Sequence, residues 1–142
     1  VTDFRQILKL QRHPNPGLYI ATANTLLESE SWGESLISAI TIIDEGLALL
    51  GNVPSLQQKA IELELRRGNY GNAIQRLETL KQHSLHSPEW HLQMAELLHK
   101  NGDIQRAHSF YDSAAEILKR ARDTPINVDI RKKLKKLLME RS

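Results

Sequence analysis

The chain has 142 residues, the length of one ordinary domain, and its 40% apolar and 25% charged residues are a globular balance with enough chain to bury a core. The absence of cysteine excludes a disulfide framework, a thiol nucleophile and Cys-based zinc or iron–sulfur sites, and it fits either redox compartment. The formal charge of +2 hides an asymmetry, because residues 1–118 carry a net −4 and residues 119–142 a net +6.

In chain order, residues 3–11 come first, with Phe4, Ile7, Leu8 and Leu10 ahead of His13-Pro14-Asn15. They read either as the end of a preceding hairpin or as an N-terminal capping helix. Val1 in first place reads as a processed chain or a piece cut from a longer one. No leader is expected, no apolar run reaches the roughly 18 residues of a membrane helix, and a soluble, cytoplasmic rather than periplasmic chain is the working expectation.

Asn15-Pro16 then opens a helix over 16–29, because an Asn cap accepts from an orphan N–H and Pro at the first helical position loses no hydrogen bond. Ser31-Trp32-Gly33-Glu34 reads as a capping box opening 32–50. Val53-Pro54 opens 54–67 with a poorer cap and Asn52 nearby. Gly68-Asn69 reads as a stop followed by a new cap, starting 70–83. Ser87-Pro88 opens 88–100, Gly102-Asp103 separates it from 104–123, and Thr124-Pro125 opens 126–140. Nothing alternates with period two over a useful length, so no strand is predicted. Loops of two to five residues force neighbouring helices antiparallel, which leaves stacked hairpins or a bundle.

A repeat favours the hairpins. Shifted by 34 residues, Pro54 falls on Pro88, Leu56 on Trp90, Gly68 on Gly102, Asn69 on Asp103, Ala73 on Ala107 and Leu77 on Tyr111. In the third copy His91, Met94-Ala95 and Leu98, then Gly102, then Ala107, Tyr111 and Ala114 form a pattern of aromatic, large-small and turn residues. Small Ala95 and Ala107 let two helices approach while Met94, Leu98 and Tyr111 fill the space around them. The first copy has Tyr19, Ala23, Leu26, Trp32 and Ser35, and a second helix one turn longer. The second copy departs most, with Ile61 where a small residue is expected and Glu64 where a large apolar one is, so a shifted or loosened hairpin is expected there.

A 34-residue helix–turn–helix unit with these residues resembles the tetratricopeptide repeat (TPR). The resemblance implies an all-α, right-handed α-solenoid of stacked antiparallel hairpins with a C-terminal capping helix. It divides the chain into a partial repeat or cap at 3–15, repeats at 16–53, 54–87 and 88–123, and a basic capping helix at 124–142. In that family the first helices line a concave groove. Carried over, the groove residues are Ile20, Asn24, Leu27 and Glu28, then Gln58, Glu62, Leu65 and Arg66, then Leu92, Gln93, Glu96, His99 and Lys100. The family's clamp for a C-terminal carboxylate needs Lys, Asn and Arg. Here Ile20 replaces the Lys, and Glu62 and Glu96 put acids in the groove, so that clamp is not expected. A row of Asn24, Glu62 and Glu96 suits an extended backbone or a basic side chain, and a partner helix is an alternative occupant; solvated helix faces are the bland reading.

No phosphate-binding loop, dinucleotide fingerprint, nucleophile elbow or zinc-protease motif is present, so neither an enzyme nor a cofactor is expected. His83, His86 and His91 straddle a helix end without a carboxylate or Cys partner and read as surface histidines rather than a metal site. Asp44-Glu45 diverge by about 100° on a helix and read as a solvated face.

The last helix carries Ile126, Ile130, Leu134, Leu137 and Leu138 on one stripe, with Arg131, Lys132, Lys133, Lys135 and Lys136 around it. It reads as a cap over the open end of the stack, or as a dock for a polyanion or an acidic protein. Nucleic acid is disfavoured because no aromatics interleave with the cations. Leu36 to Ile43 is apolar almost all round, which points to full burial, or to self-association if neighbours leave it uncovered. The function expected is a non-catalytic scaffold binding a protein segment in the groove; the alternative is a regulatory or membrane-adjacent adaptor acting through the basic helix.

Overall fold

A computed structural model describes residues 15–29, 32–84 and 86–141, the side chains of residues 29, 32, 33, 83, 138, 140 and 141 excepted. Of the segment 3–15 only Asn15 is described, and the Ser31 cap lies outside the described residues. The helices are α1 (Pro16–Ser29), α2 (Trp32–Leu50), α3 (Pro54–Arg66), α4 (Tyr70–Glu78), the single turn α5 (Lys81–Ser84), α6 (Pro88–Lys100), α7 (Ile104–Lys119) and α8 (Pro125–Arg141). Among the described residues there is no strand, and no helix is long and apolar enough to cross a membrane.

The caps form as the sequence dictates. Asn15 Oδ1 accepts from Leu18 N at 3.0 Å, Ser87 Oγ from Trp90 N at 3.3 Å and Thr124 Oγ1 from Asn127 N at 3.1 Å. Val53 makes no side-chain cap. Asn52 works sideways instead, accepting from Gln57 Nε2 at 2.8 Å and donating to Thr79 O at 3.0 Å.

The turns repeat with the sequence. Asn69 N donates to Glu64 O at 2.8 Å and Asp103 N to Leu98 O at 2.9 Å, while Gly68 N donates to Leu65 O and Gly102 N to His99 O at 3.0 and 3.1 Å. Gly68 and Gly102 take φ of 74° and 87°, the left-handed conformation that a Schellman stop requires and that glycine adopts without a Cβ penalty. Asn69 and Asp103 then cap α4 and α7 by accepting from Asn72 N and Arg106 N. Each of these bonds recurs 34 residues on, so the second hairpin is not shifted at its turn, contrary to the expectation.

The change falls at the far end of that hairpin. The helix expected over 70–83 stops at Glu78 and resumes as α5. Thr79 Oγ1 turns back to donate to Arg76 O at 2.6 Å, and Thr79 O is taken by Asn52 Nδ2. A continuing helix would offer that carbonyl to the N–H four residues on.

Two compact units meet in sequence between Thr79 and Leu80. In the first, α1 packs on α2, α2 on α3, α3 on α4, and α1 also on α3. Its core is Tyr19, Ala23, Leu26, Leu36, Ala39, Ile40, Ile42, Ile43, Leu56, Ala60 and Leu63. A fully buried leucine such as Leu36 or Leu63 contributes about 1.5–3 kcal/mol over an exposed one. The Leu36 to Ile43 segment belongs to this core: Leu36, Ala39, Ile40, Ile42 and Ile43 are buried, while Ile37 is 53% exposed. The apolar run is thus used inside the unit. Ala60-Ile61 and Met94-Ala95 are all buried and hold the same small-plus-large pair in reversed order, which accommodates Ile61 in the second copy.

In the second unit α6 packs on α7, α7 on α8, and α6 also on α8. This is the set of contacts that α1, α2 and α3 make, so α8 stands to its hairpin as a next first helix would. It buries Ile130 and Leu134, as its stripe requires, while Ile126, one turn before Ile130 at the start of the helix, is 57% exposed. Leu137 is half-buried, and the Leu138 side chain lies outside the described residues.

Candidate functional site

In the first unit the two first helices, α1 and α3, lie against each other. Asn24 and Glu28, one turn apart on α1, are exposed, as are Gln58, Glu62 and Arg66 at four-residue intervals along α3. Spacing of four keeps each set on one face. Ile20 and Leu27, expected in the groove, are half-buried and packed against the core. Glu62 is not an open acid: Arg66 Nη2 donates to its Oε1 at 2.8 Å and Lys59 Nζ to its Oε2 at 3.4 Å. Exposed pairs of this kind are worth about 0–1 kcal/mol, so an incoming cation can replace Arg66 at small cost.

In the second unit Gln93 and Glu96 line a cleft of about 410 Å³ between α6 and α8, with Glu89, Leu92, Ile126, Asp129, Ile130 and Lys133. Leu92, expected to face the groove openly, is buried and forms part of the floor with Ile130. Lys133 Nζ stands 2.9 Å from Glu96 Oε1. Three carboxylates against one ammonium leave the cleft acidic, which suits an apolar side chain beside a basic one. His99 and Lys100 are exposed at the end of α6 and are not among the cleft residues.

The cations of α8 divide. Arg131 donates from Nη2 to Leu118 O and Ala121 O, each at 2.8 Å, and from Nη1 to Asp123 Oδ1. It thus satisfies carbonyls at the C-terminus of α7, where a cation is favoured, and α7 ends at Lys119 rather than at 123. Together with the Lys133–Glu96 pair, this removes two of the five cations assigned to an anionic partner. Lys132, Lys135 and Lys136 are exposed.

Two readings of acids and histidines are corrected. Asp44 is more than a solvated acid, because Arg76 Nη1 and Nη2 reach its two oxygens at 2.8 and 3.0 Å. His91 is buried rather than solvated, its ring 5.0 Å from Trp90 and 5.9 Å from Phe110. His86 is exposed, and the His83 side chain lies outside the described residues. No group of three metal-ligating residues occurs among the described residues.

The residue that the sequence reading missed is Arg76. It also meets Glu64 Oε2 at 3.5 Å and Gln57 Oε1 at 3.2 Å. The Asp44 hydrogen bond, outweighing the effect of burial, raises the guanidinium pKa above its ordinary value. The signal was in the repeat: 34 residues on, Gln57, Glu64 and Arg76 fall on His91, Leu98 and Phe110. The second copy has a hydrogen-bonded polar cluster where the third has an apolar, aromatic one.

These elements define an all-α, TPR-like helical-repeat fold. No family model matches the chain, and no curated protein matches its sequence. Solved structures do match. One is the Yersinia enterocolitica type III secretion translocator chaperone SycD in an alternative dimer, with TM-score 0.68 and 16% identity over 88% of this chain and 89% of that one. Another structure of SycD gives TM-score 0.65 and 14% identity over 96% and 92%.

Proposed function

We propose that the chain is a non-catalytic protein-interaction scaffold of the tetratricopeptide class, with repeats at 16–53, 54–87 and 88–123. It binds a protein segment on the outer faces of its first helices. The residues assigned to this role are Asn24, Leu27, Glu28, Gln58, Glu62 and Arg66 in the first unit, and Gln93, Glu96, His99 and Lys100 in the second.

The observation that carries the reading is the use made of α1, α3 and α6. Each commits one side to the core while Asn24, Glu28, Gln58 and Glu62 stay exposed, and Gln93 and Glu96 line a cleft. First helices with polar outer faces are what a helical-repeat binder offers to a partner. The structural neighbour SycD is a translocator chaperone, so the fold supports dedicated protein binding elsewhere. The acidic α6–α8 cleft favours a segment that places an apolar residue beside Lys or Arg.

The test is site-specific photocrosslinking in lysate of the source cells. Crosslinkers at Gln58 and Gln93 should trap the same partner, and crosslinkers at Gln75 on α4 and Ser109 on α7 should not. Stronger trapping from Gln75 or Ser109 overturns the assignment.

A further inference from the structure

On the other side of α8 lies a second cleft, different in sign from the first. Ala115, Leu118 and Lys119 of α7 and Arg131, Leu134, Lys135 and Met139 of α8 line an open hollow of about 530 Å³. An adjoining hollow of about 440 Å³ is lined by Lys132, Lys135, Lys136 and Met139. The walls are apolar and the rim is cationic. Met139, which lines both hollows, is 68% exposed. Glu116 stands beside this rim, but Lys119 Nζ donates to it at 2.9 Å. Along α8 the trough runs from Arg131 to Met139, about 12 Å at the helical rise, or some two turns.

We propose that this α7–α8 trough is a second docking surface, and that its occupant is an acidic amphipathic helix of a partner protein. Helix in groove follows from the shape: an apolar-walled groove between two neighbouring helices accepts side chains at i, i+3 or i+4, and i+7. The acidic flanks follow from the charge. Lys119, Lys132, Lys135 and Lys136 line these two hollows together with Met139. Complementary charge speeds encounter and rejects basic segments, which the acidic α6–α8 cleft favours instead. Two clefts of opposite sign on either side of one helix separate two kinds of partner segment. The surface does not depend on the first-helix face, so Glu62→Lys leaves it intact.

The probe is a fluorescein-labelled peptide of about sixteen residues, with leucines at helical spacing and glutamates elsewhere, followed by anisotropy. Controls replace every glutamate by lysine, or every leucine by glutamate. The intact chain should bind the acidic amphipathic peptide about ten-fold or more tightly than either control, and more weakly as salt rises. Lys119→Glu with Lys135→Glu, and separately Met139→Glu, should each weaken it about ten-fold. These side chains are exposed, and unchanged circular dichroism checks the fold. Equal binding of the three peptides, or binding indifferent to both variants, overturns the proposal. So does a dimer in sedimentation that Met139→Glu dissociates, because the occupant would then be a second copy.

Discussion

Arg76 of α4 grips Asp44 of α2 through both terminal guanidinium nitrogens, at 2.8 and 3.0 Å. On the way it passes Glu64, whose side chain is only 2% exposed and whose other oxygen takes Arg67 at 3.2 Å. One side chain thus ties three helices of the first unit together and neutralises an acid that would otherwise be buried beside Arg67 alone.

Arg76→Ala should therefore destabilise the protein by about 3 kcal/mol, since removing one partner leaves a buried charge short of compensation. Glu64→Ala should cost less, because Arg76 keeps Asp44. The pair Arg76→Met with Glu64→Leu imitates the Phe110 and Leu98 of the next repeat and should come out within about 1 kcal/mol of the parent. Urea denaturation of the three variants measures this. A loss for Arg76→Ala no larger than that for a surface substitution would show that Glu64 gains no stability from its arginine.

Gly46 and Gly71 should respond oppositely to alanine. A Cβ on Gly46 would lie 2.8 Å from Cγ of Tyr19 and 3.2 Å from Cδ1 of Leu56, whereas one on Gly71 would meet nothing within 4 Å. Both are helical, so each substitution gains up to about 1 kcal/mol of propensity. At Gly71 that gain stands. At Gly46 the Tyr19 ring must move, and overpacking of this kind costs about 1–3 kcal/mol. Thermal melts should place Gly71→Ala above the parent and Gly46→Ala below it.

What the sequence disclosed follows from where the information is local. Caps such as Ser87 and Asp103, and the glycine stops at 68 and 102, are decided by a few adjacent residues, and the helices start where these signals stand. Helix ends set by distant partners were not legible in this way. At the stop after Glu78 the Thr79 carbonyl is taken by Asn52, and at the stop after Lys119 the Leu118 carbonyl is taken by Arg131. The first-helix faces were readable as polar stripes, but pairing between elements changed their meaning. Glu96 is answered by Lys133, thirty-seven positions away, and no periodicity announces that. Glu64 stands out in the sequence as a misfit; its partner Arg76 becomes visible only when both positions are compared with the third repeat.

Arg131 should govern how firmly α8 is held. Its guanidinium donates to two carbonyls at the end of α7 and pairs with Asp123. Charged hydrogen bonds to partly buried carbonyls are worth about 1.5–3 kcal/mol, while the ion pair with well-exposed Asp123 adds little. Hydrogen exchange should accelerate across residues 125–141 in Arg131→Ala and change little in Asp123→Asn. Amides of α3 should be unaffected in both. Equal protection of α8 in Arg131→Ala and the parent would mean that Ile130 and Leu134 hold the helix without help.

Tyr19 gives a pH signature. Burial first, and the nearby Glu45 carboxylate second, raise its pKa above the ordinary 10.0. Above that pH the unfolded chain loses the phenol proton while the folded chain keeps it. The folded state then binds more protons, so this contribution is complete below pH 10 and declines as pH rises toward the raised value. Tyr19→Phe retains the ring against Gly46 and removes the ionisation. The difference in urea midpoint between parent and variant should stay constant from pH 7 to about 9, then widen in favour of phenylalanine above about 10. Contributions common to both proteins cancel in the difference. A constant difference up to pH 11 would mean that the Tyr19 hydroxyl ionises as readily folded as unfolded.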